Sequence, residues 1–150
     1  MTDHHQAHLD RSDLLRMSQA QLDELYVGLE DRGATPVGNT GGTVVLLPGR
    51  RLAAPLRTLA RLIVWQGKVF RPEQGDLKNK ITPLRLRSIR ALVYPGESWM
   101  DGREATIIDY SRTSFVARWI RDEIREVAPG LWLGKVFIRR WHAIDFLLED

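Results

Sequence analysis

DYSRTSFVARWIRDEIREVAPGLWLGKVF, residues 109–137, is the stretch whose reading decides the fold. A run of strand formers, Ser114 to Ile120, leads into the densely charged segment Arg121 to Glu126. Ala128-Pro129-Gly130-Leu131 follows, and then a second apolar run. Proline at the second and glycine at the third position meet the demands of a type II turn, because proline fixes φ near roughly −65° and glycine accepts positive φ. The stretch therefore reads as a β-hairpin that sets its own register. Counting back from the turn pairs Val127 with Trp132, Arg125 with Gly134, Glu123 with Val136 and Arg121 with Ile138 on one face. The other face pairs Glu126 with Leu133, Ile124 with Lys135 and Asp122 with Phe137. Lys135 then lies diagonal to both Asp122 and Glu126.

That carboxylate–lysine–carboxylate cluster has two readings. Facing a lumen, it would orient the polar group of a ligand or do acid–base work. Facing water, it is a charge ladder of small energetic weight. Leu133 and Phe137 share its face, so that face is not wholly polar.

Upstream, Ser12 to Leu29 reads as a helix. Its N-cap is placed at Ser12, and a second cap with a capping box is possible at Ser18 and Gln21. Residues 1–11 read as a loose tail. His4 and His8 stand at the i, i+4 spacing of a metal pair, but in a solvated tail they are incidental. Gly33 to Gly42 reads as loop and Thr43 to Leu47 as a strand. Arg50 to Ile63 is a basic amphipathic helix that either covers the sheet or touches an anionic membrane surface.

Val64 to Phe70 is the next strand, and Gly67 inside it signals a bulge. Leu77 to Ile81 follows as a further strand. Leu84 to Tyr94 follows that, with a bulge near Ser88 where its alternation changes phase. Pro95-Gly96 reads as a turn. Asp101-Gly102 reads as a hairpin turn joining Ser98-Trp99-Met100 to the strand Glu104 to Tyr110. The last strand, Trp141 to Leu148, places His142 with Ile144, Phe146 and Leu148 on one face and Asp145 on the other. Two helices followed by six to eight short strands describe an antiparallel meander. Such a sheet hides its edges most simply by closing.

Composition narrows the chemistry. With 43% hydrophobic and 27% charged residues the chain is globular. With no cysteine, disulfides, thiolate metal sites and a cysteine nucleophile are excluded. Net charge is only +3, from 22 basic and 19 acidic residues, so sequence-specific nucleic-acid binding is not expected. The polar start Met1-Thr2-Asp3-His4-His5 lacks a signal core, and no apolar run approaches the ~18 residues of a membrane span. A soluble, cytoplasmic protein without cofactor or metal is expected. Asp109, His142 and a serine (Ser98, Ser111 or Ser114) can be written as a triad, but no Gly-x-Ser-x-Gly elbow is present. Gly38 to Gly42 lacks the Lys-Ser/Thr of a phosphate loop. A lone His142 reads as a structural residue. The five tryptophans line a core or a pocket.

The runs WQGKVF (65–70), SWMDGREATIIDYSRTS (98–114) and RDEIREVAPGLWLGKVF (121–137), with the closing apolar strand, resemble a group of short bacterial proteins that have no established chemistry. More distantly they are similar to the lipocalin-like, or calycin, barrels. Lipocalins open with Gly-x-Trp on the first strand, whereas here Trp65 precedes Gly67 and an additional helix comes before it. The resemblance implies a barrel that encloses a hydrophobic small molecule, and it transfers no catalytic residue.

The expected fold is thus α+β: one domain over residues 12–150, a small antiparallel lipocalin-like barrel or strongly curved sheet, with helices 12–29 and 50–63 packed on it. The expected function is non-covalent binding of a lipid-, polyketide- or terpenoid-like molecule. Trp65, Trp99, Trp132 and Phe137 would shape the cavity, with Asp109, Arg121 and Lys135 as polar anchors. One alternative is an isomerase, cyclase or hydrolase using Asp122, Lys135 and Glu126, or Asp109 with Tyr110, as acid and base. Another is an interaction protein that docks through residues 50–63.

Overall fold

The computed structural model describes residues 8–30, 35–36, 38–45, 64–71, 75–82, 90–113 and 118–150. Among the described residues two helices precede eight strands: α1 (Arg11–Arg16), α2 (Gln19–Gly28), β1 (Gly38–Val45), β2 (Val64–Arg71), β3 (Asp76–Thr82), β4 (Arg90–Glu97), β5 (Glu104–Asp109), β6 (Ile120–Ala128), β7 (Leu131–Ile138) and β8 (Trp141–Glu149). The chain is α+β with a strongly curved antiparallel sheet. Each strand pairs with its neighbour in sequence, and β1 also pairs with β8, so the hydrogen-bonded ladder closes on itself.

The N-terminal helix is not continuous. Asp10, not Ser12, caps α1, exchanging hydrogen bonds with Asp13 as a capping box. The helix therefore starts inside the stretch read as a tail. Met17 leaves the helical region, and Ser18 with Gln21 forms the second capping box that starts α2. The break lets both short helices lay Leu14, Leu22 and Tyr26 onto Leu131, Leu133 and Leu147 of the sheet.

Within the sheet, the turn at 128–131 is where the sequence puts it, with Gly130 at φ 79. The register is not. Val127 is a bulge, so Ala128 pairs with Leu131 while Glu126 pairs with Trp132, Arg125 with Leu133, Ile124 with Gly134, Glu123 with Lys135, Asp122 with Val136 and Arg121 with Phe137. One unpaired residue turns β6 over relative to the simple count. A second bulge between Val136 and Phe137 sets Phe137 against His142 and Val136 against Ile144. Ala143 is left unpaired, and His142 moves onto the face of Asp145, away from Ile144 and Phe146. The bulge expected in β2 is present between Trp65 and Gly67.

Three other expectations change. Gly38 to Gly42 lies in β1 and not in a loop. Pro95-Gly96 lies within β4, opposite Thr106 and Ala105. The β4–β5 connection runs from Ser98 to Arg103, so Ser98, Trp99 and Met100 belong to the turn and not to a strand. The expected helix 50–63, the bulge near Ser88 and the strand start at Ser114 fall outside the described residues.

The sheet has two cores. Its inner face collects Ala91, Ile108, Tyr110, Ile124, Trp132, Phe146 and Leu148, with Val93, Ile120 and Val136 packed against them. Its outer face, over β6 to β8, is covered by α1 and α2. Gly134 lets Phe146 lie flat across β7, where a Cβ would overlap the ring. Gly134→Ala is expected to cost about 1–3 kcal/mol of stability by overpacking. Adding Phe146→Leu should recover part of it, as read by urea unfolding. A neutral Gly134→Ala would mean that Phe146 has room to move.

Candidate functional site

Beside its apolar cluster, the outer face of β6 to β8 carries a charged network beneath its helical cover. With the observed register, Arg121, Glu123 and Arg125 project from β6 on the same side as Leu133, Lys135 and Phe137 from β7. The side chains of Glu123, Arg125, Lys135 and Asp145 are fully buried. Burial of four charges is tolerated only when each is paired and hydrogen-bonded, and here each is.

Glu123 is gripped from three elements. It accepts hydrogen bonds from Tyr26 Oη of α2 at 3.0 Å, from Ser98 Oγ, and from the Trp99 backbone N at 2.9 Å. Arg121 Nη1 stands 3.4 Å from Oε2, the oxygen that also accepts from Trp99 N. Arg125 forks onto Asp101 at 2.7 and 2.8 Å, and donates to the carbonyls of Tyr26 at 2.9 Å and Glu104 at 3.1 Å. Its guanidinium carbon lies 4.5 Å from the centre of the Tyr26 ring. The Arg125 hydrogen bonds hold the Asp101 carboxyl down at about 2. Burial and the neighbouring Glu123 push the Tyr26 phenol far above its ordinary value, so it is a fixed donor.

The second half of the network centres on Lys135. Its Nζ donates to Asp145 Oδ2 at 2.8 Å and to Asp23 Oδ1 of α2 at 2.6 Å. Gln19 Nε2 bridges the same two carboxylates at 2.7 and 3.0 Å. His142 Nε2 meets the other oxygen of Asp145. Burial raises the Asp145 carboxyl, but His142 and Lys135 outweigh it and hold it below the usual range. Asp23, His142 and Asp145 each offer one atom at metal-ligand spacing. The Lys135 ammonium already sits between the two carboxylates, so a divalent ion would have to evict a buried cation, and the set does not fit a metal.

The structure redistributes the residues singled out in the sequence. Lys135 does have two carboxylate partners, but they are Asp23 and Asp145. Asp122 and Glu126 lie on the inner parity of β6, so the Asp122–Lys135–Glu126 cluster does not form. Asp122 instead accepts from Tyr110 Oη at 3.0 Å, inside the sheet. Asp109 lies outside, accepting from Tyr94 Oη at 2.9 Å and Ser111 N at 2.8 Å, so it does not work with Tyr110. Burial raises the Asp109 carboxyl, but the hydrogen bonds from Ser111 and Tyr94 and the charge of Arg121 together hold it below its ordinary value. Among the expected cavity aromatics whose side chains are described, Trp132 is the one placed in the inner core. Trp99 packs edge-on against Phe137 on the outer side, with ring centres 5.4 Å apart, and Arg121 stacks on Trp99. Trp65 stands in β2 opposite Ile81, and its side chain lies outside the described residues. His142 sits by Asp145 and Phe137, which rules out a triad with Asp109 on the far side of β6.

Asp23, Tyr26, Asp101, Arg125 and Asp145 were missed. Asp145 had a signal: a single charge inside the apolar run Ala143 to Leu148. Asp23 had a weaker one, standing beside Leu22 on the buried side of α2.

No protein-family model matches the sequence, and no curated protein matches it. A crystal structure of a protein from Thermomonospora curvata is similar in fold. Its TM-score is 0.54 over 89% of this chain and 88% of that one, at 20% identity. No helix among the described residues is long and apolar enough to cross a membrane.

Proposed function

We propose that the curved sheet is a lipocalin-like barrel that binds one small apolar or amphipathic molecule non-covalently in its lumen. The lipid, polyketide and terpenoid classes suit it. Eight antiparallel strands in a closed ladder are the number that, in barrels of this kind, can hold one small ligand. The observation that carries the reading is the Tyr110–Asp122 pair, a hydroxyl 3.0 Å from a buried carboxylate beside the apolar cluster of the inner face. An apolar cluster beside a polar handle suits a ligand with an apolar body and a polar group. The anchors are thus Tyr110 and Asp122, beside Trp132, and not Asp109, Arg121 or Lys135. A second reading makes the same pair a general acid and base in an isomerase or hydrolase acting on that ligand.

Displacement of a fluorescent apolar probe by a long-chain alcohol and by the matching alkane tests the proposal. Asp122→Asn and Tyr110→Phe are expected to weaken the alcohol by roughly tenfold, the worth of about one hydrogen bond, and to leave the alkane unchanged. Equal effects on both ligands, or no displacement by either, would remove the reading. Native mass spectrometry of protein purified from its own host would show whether a small molecule accompanies it. Recovery of a chemically altered molecule after incubation would favour the enzyme.

A further inference from the structure

The β7–β8 connection is a two-residue turn, Arg139-Arg140, with φ 51 and 73. Positive φ at both central residues is the type I′ geometry, in which asparagine and glycine are the favoured pair. Two arginines there run against local preference, and their side chains explain what they do. Arg139 lies 4.6 Å from the ring centre of Trp119, which Arg118 meets at 4.4 Å. Arg140 lies 4.9 Å from the ring centre of Trp99, which Arg121 meets at 4.2 Å. The Arg139 backbone N donates to the Trp119 carbonyl at 3.0 Å, tying the turn to the start of β6. Trp141, next to the turn, is 81% exposed, and Trp119 is 48% exposed.

Three partly or largely exposed indoles and the cations Arg118, Arg139 and Arg140 therefore form one patch at this end of the sheet, while Arg121, which meets Trp99, is largely buried and paired with Glu123. Among the described residues Arg139 and Arg140 have no carboxylate partner. The nearby Asp109 is engaged by Tyr94 and Ser111. Charge complementarity calls for an anionic partner. Exposed indoles beside cations call for one with an apolar–polar boundary, where tryptophan partitions.

We propose that this end of the sheet docks on an anionic lipid surface through Arg139, Arg140, Trp119 and Trp141. Single-stranded nucleic acid is the less suited partner. Its binders offer open aromatic faces along a groove, whereas Trp99 and Trp119 are already stacked with guanidinium groups and the patch is built on a hairpin tip. These residues differ from the 50–63 segment to which the sequence assigned membrane contact, and the inference is independent of what the lumen holds.

The decisive variant is Arg139→Asn/Arg140→Gly, which removes both charges while installing the preferred turn pair. The wild type should co-sediment with phosphatidylcholine vesicles containing phosphatidylserine, not with phosphatidylcholine alone, and should be released by salt. The variant should bind those vesicles about thirtyfold more weakly, from the loss of two surface arginines. Its thermal midpoint should equal or exceed that of the wild type, which separates lost binding from lost folding. Trp141→Ser should also weaken binding, and its residual binding should remain salt-sensitive. Absence of phosphatidylserine-dependent sedimentation, or undiminished binding by the double variant, overturns the proposal. Retention on a single-stranded oligonucleotide without vesicle binding overturns it in favour of nucleic acid.

Discussion

Lys135→Met lowers the free energy of unfolding by about 3–5 kcal/mol, the cost of leaving buried carboxylate charge without its counter-ion. The Lys135 and Asp145 side chains are both fully buried and 2.8 Å apart, so water cannot replace the ammonium without opening the α2 contact. The double variant Lys135→Met/Asp145→Leu should recover most of the loss, because removing both charges also removes the desolvation they demand. Urea unfolding with an unchanged m-value measures both. A loss below about 1 kcal/mol for the single variant would show that the pair is hydrated and that α2 does not seal it.

Arg125→Met is expected to cost a similar ~3–5 kcal/mol, for a different reason. It leaves the Asp101 carboxylate and the carbonyls of Tyr26 and Glu104 without their donor. This pair also carries a pH signature. The Asp101 carboxyl is held at about 2 in the folded chain, against 3.8 ordinarily. A depressed folded value means stability that is present above the ordinary value and lost as pH falls through the folded one. The gap between wild type and Arg125→Met should therefore narrow as pH is lowered from about 4 to about 2. Asp145, also depressed, adds acid sensitivity in the same direction through Lys135 and His142. A gap that stays constant over that range would detach Asp101 from Arg125.

The sequence reveals this molecule unevenly, for physical reasons. Turn chemistry is local, so Pro129-Gly130 and the capping box at Ser18 are legible from a few residues. The bulge at Gly67 is legible for the same reason. The bulges at Val127 and Ala143 leave no such mark. Each adds one residue to an ordinary strand pattern, yet each reverses which side chains face the helices. Simple alternation therefore gives Lys135 to Asp122 and Glu126 and sets His142 apart from Asp145. Gly38 to Gly42 resembled a loop because glycine composition reports backbone freedom, and only pairing with β2 and β8 makes it a strand. The α2 contribution, Asp23 and Tyr26, depends on a helix folding back over β6 to β8. No short-range pattern encodes that.

The ladder between β1 and β8 has a consequence for the order in which the molecule assembles. Among the described residues, seven of the strand pairings join neighbours in sequence, and each closes a shorter loop than the eighth. The eighth brings Gly41 against Glu149 and Val45 against Asp145, from opposite ends of the chain. Loop-closure entropy delays such contacts until the rest has gathered, and the glycines of β1 offer little side-chain burial to hasten it. The seam is therefore the last ladder to zip during folding and the first to open. A nascent chain must keep its β1 edge unpaired until β8 arrives, and that interval is when a neighbouring chain could take the place of β8.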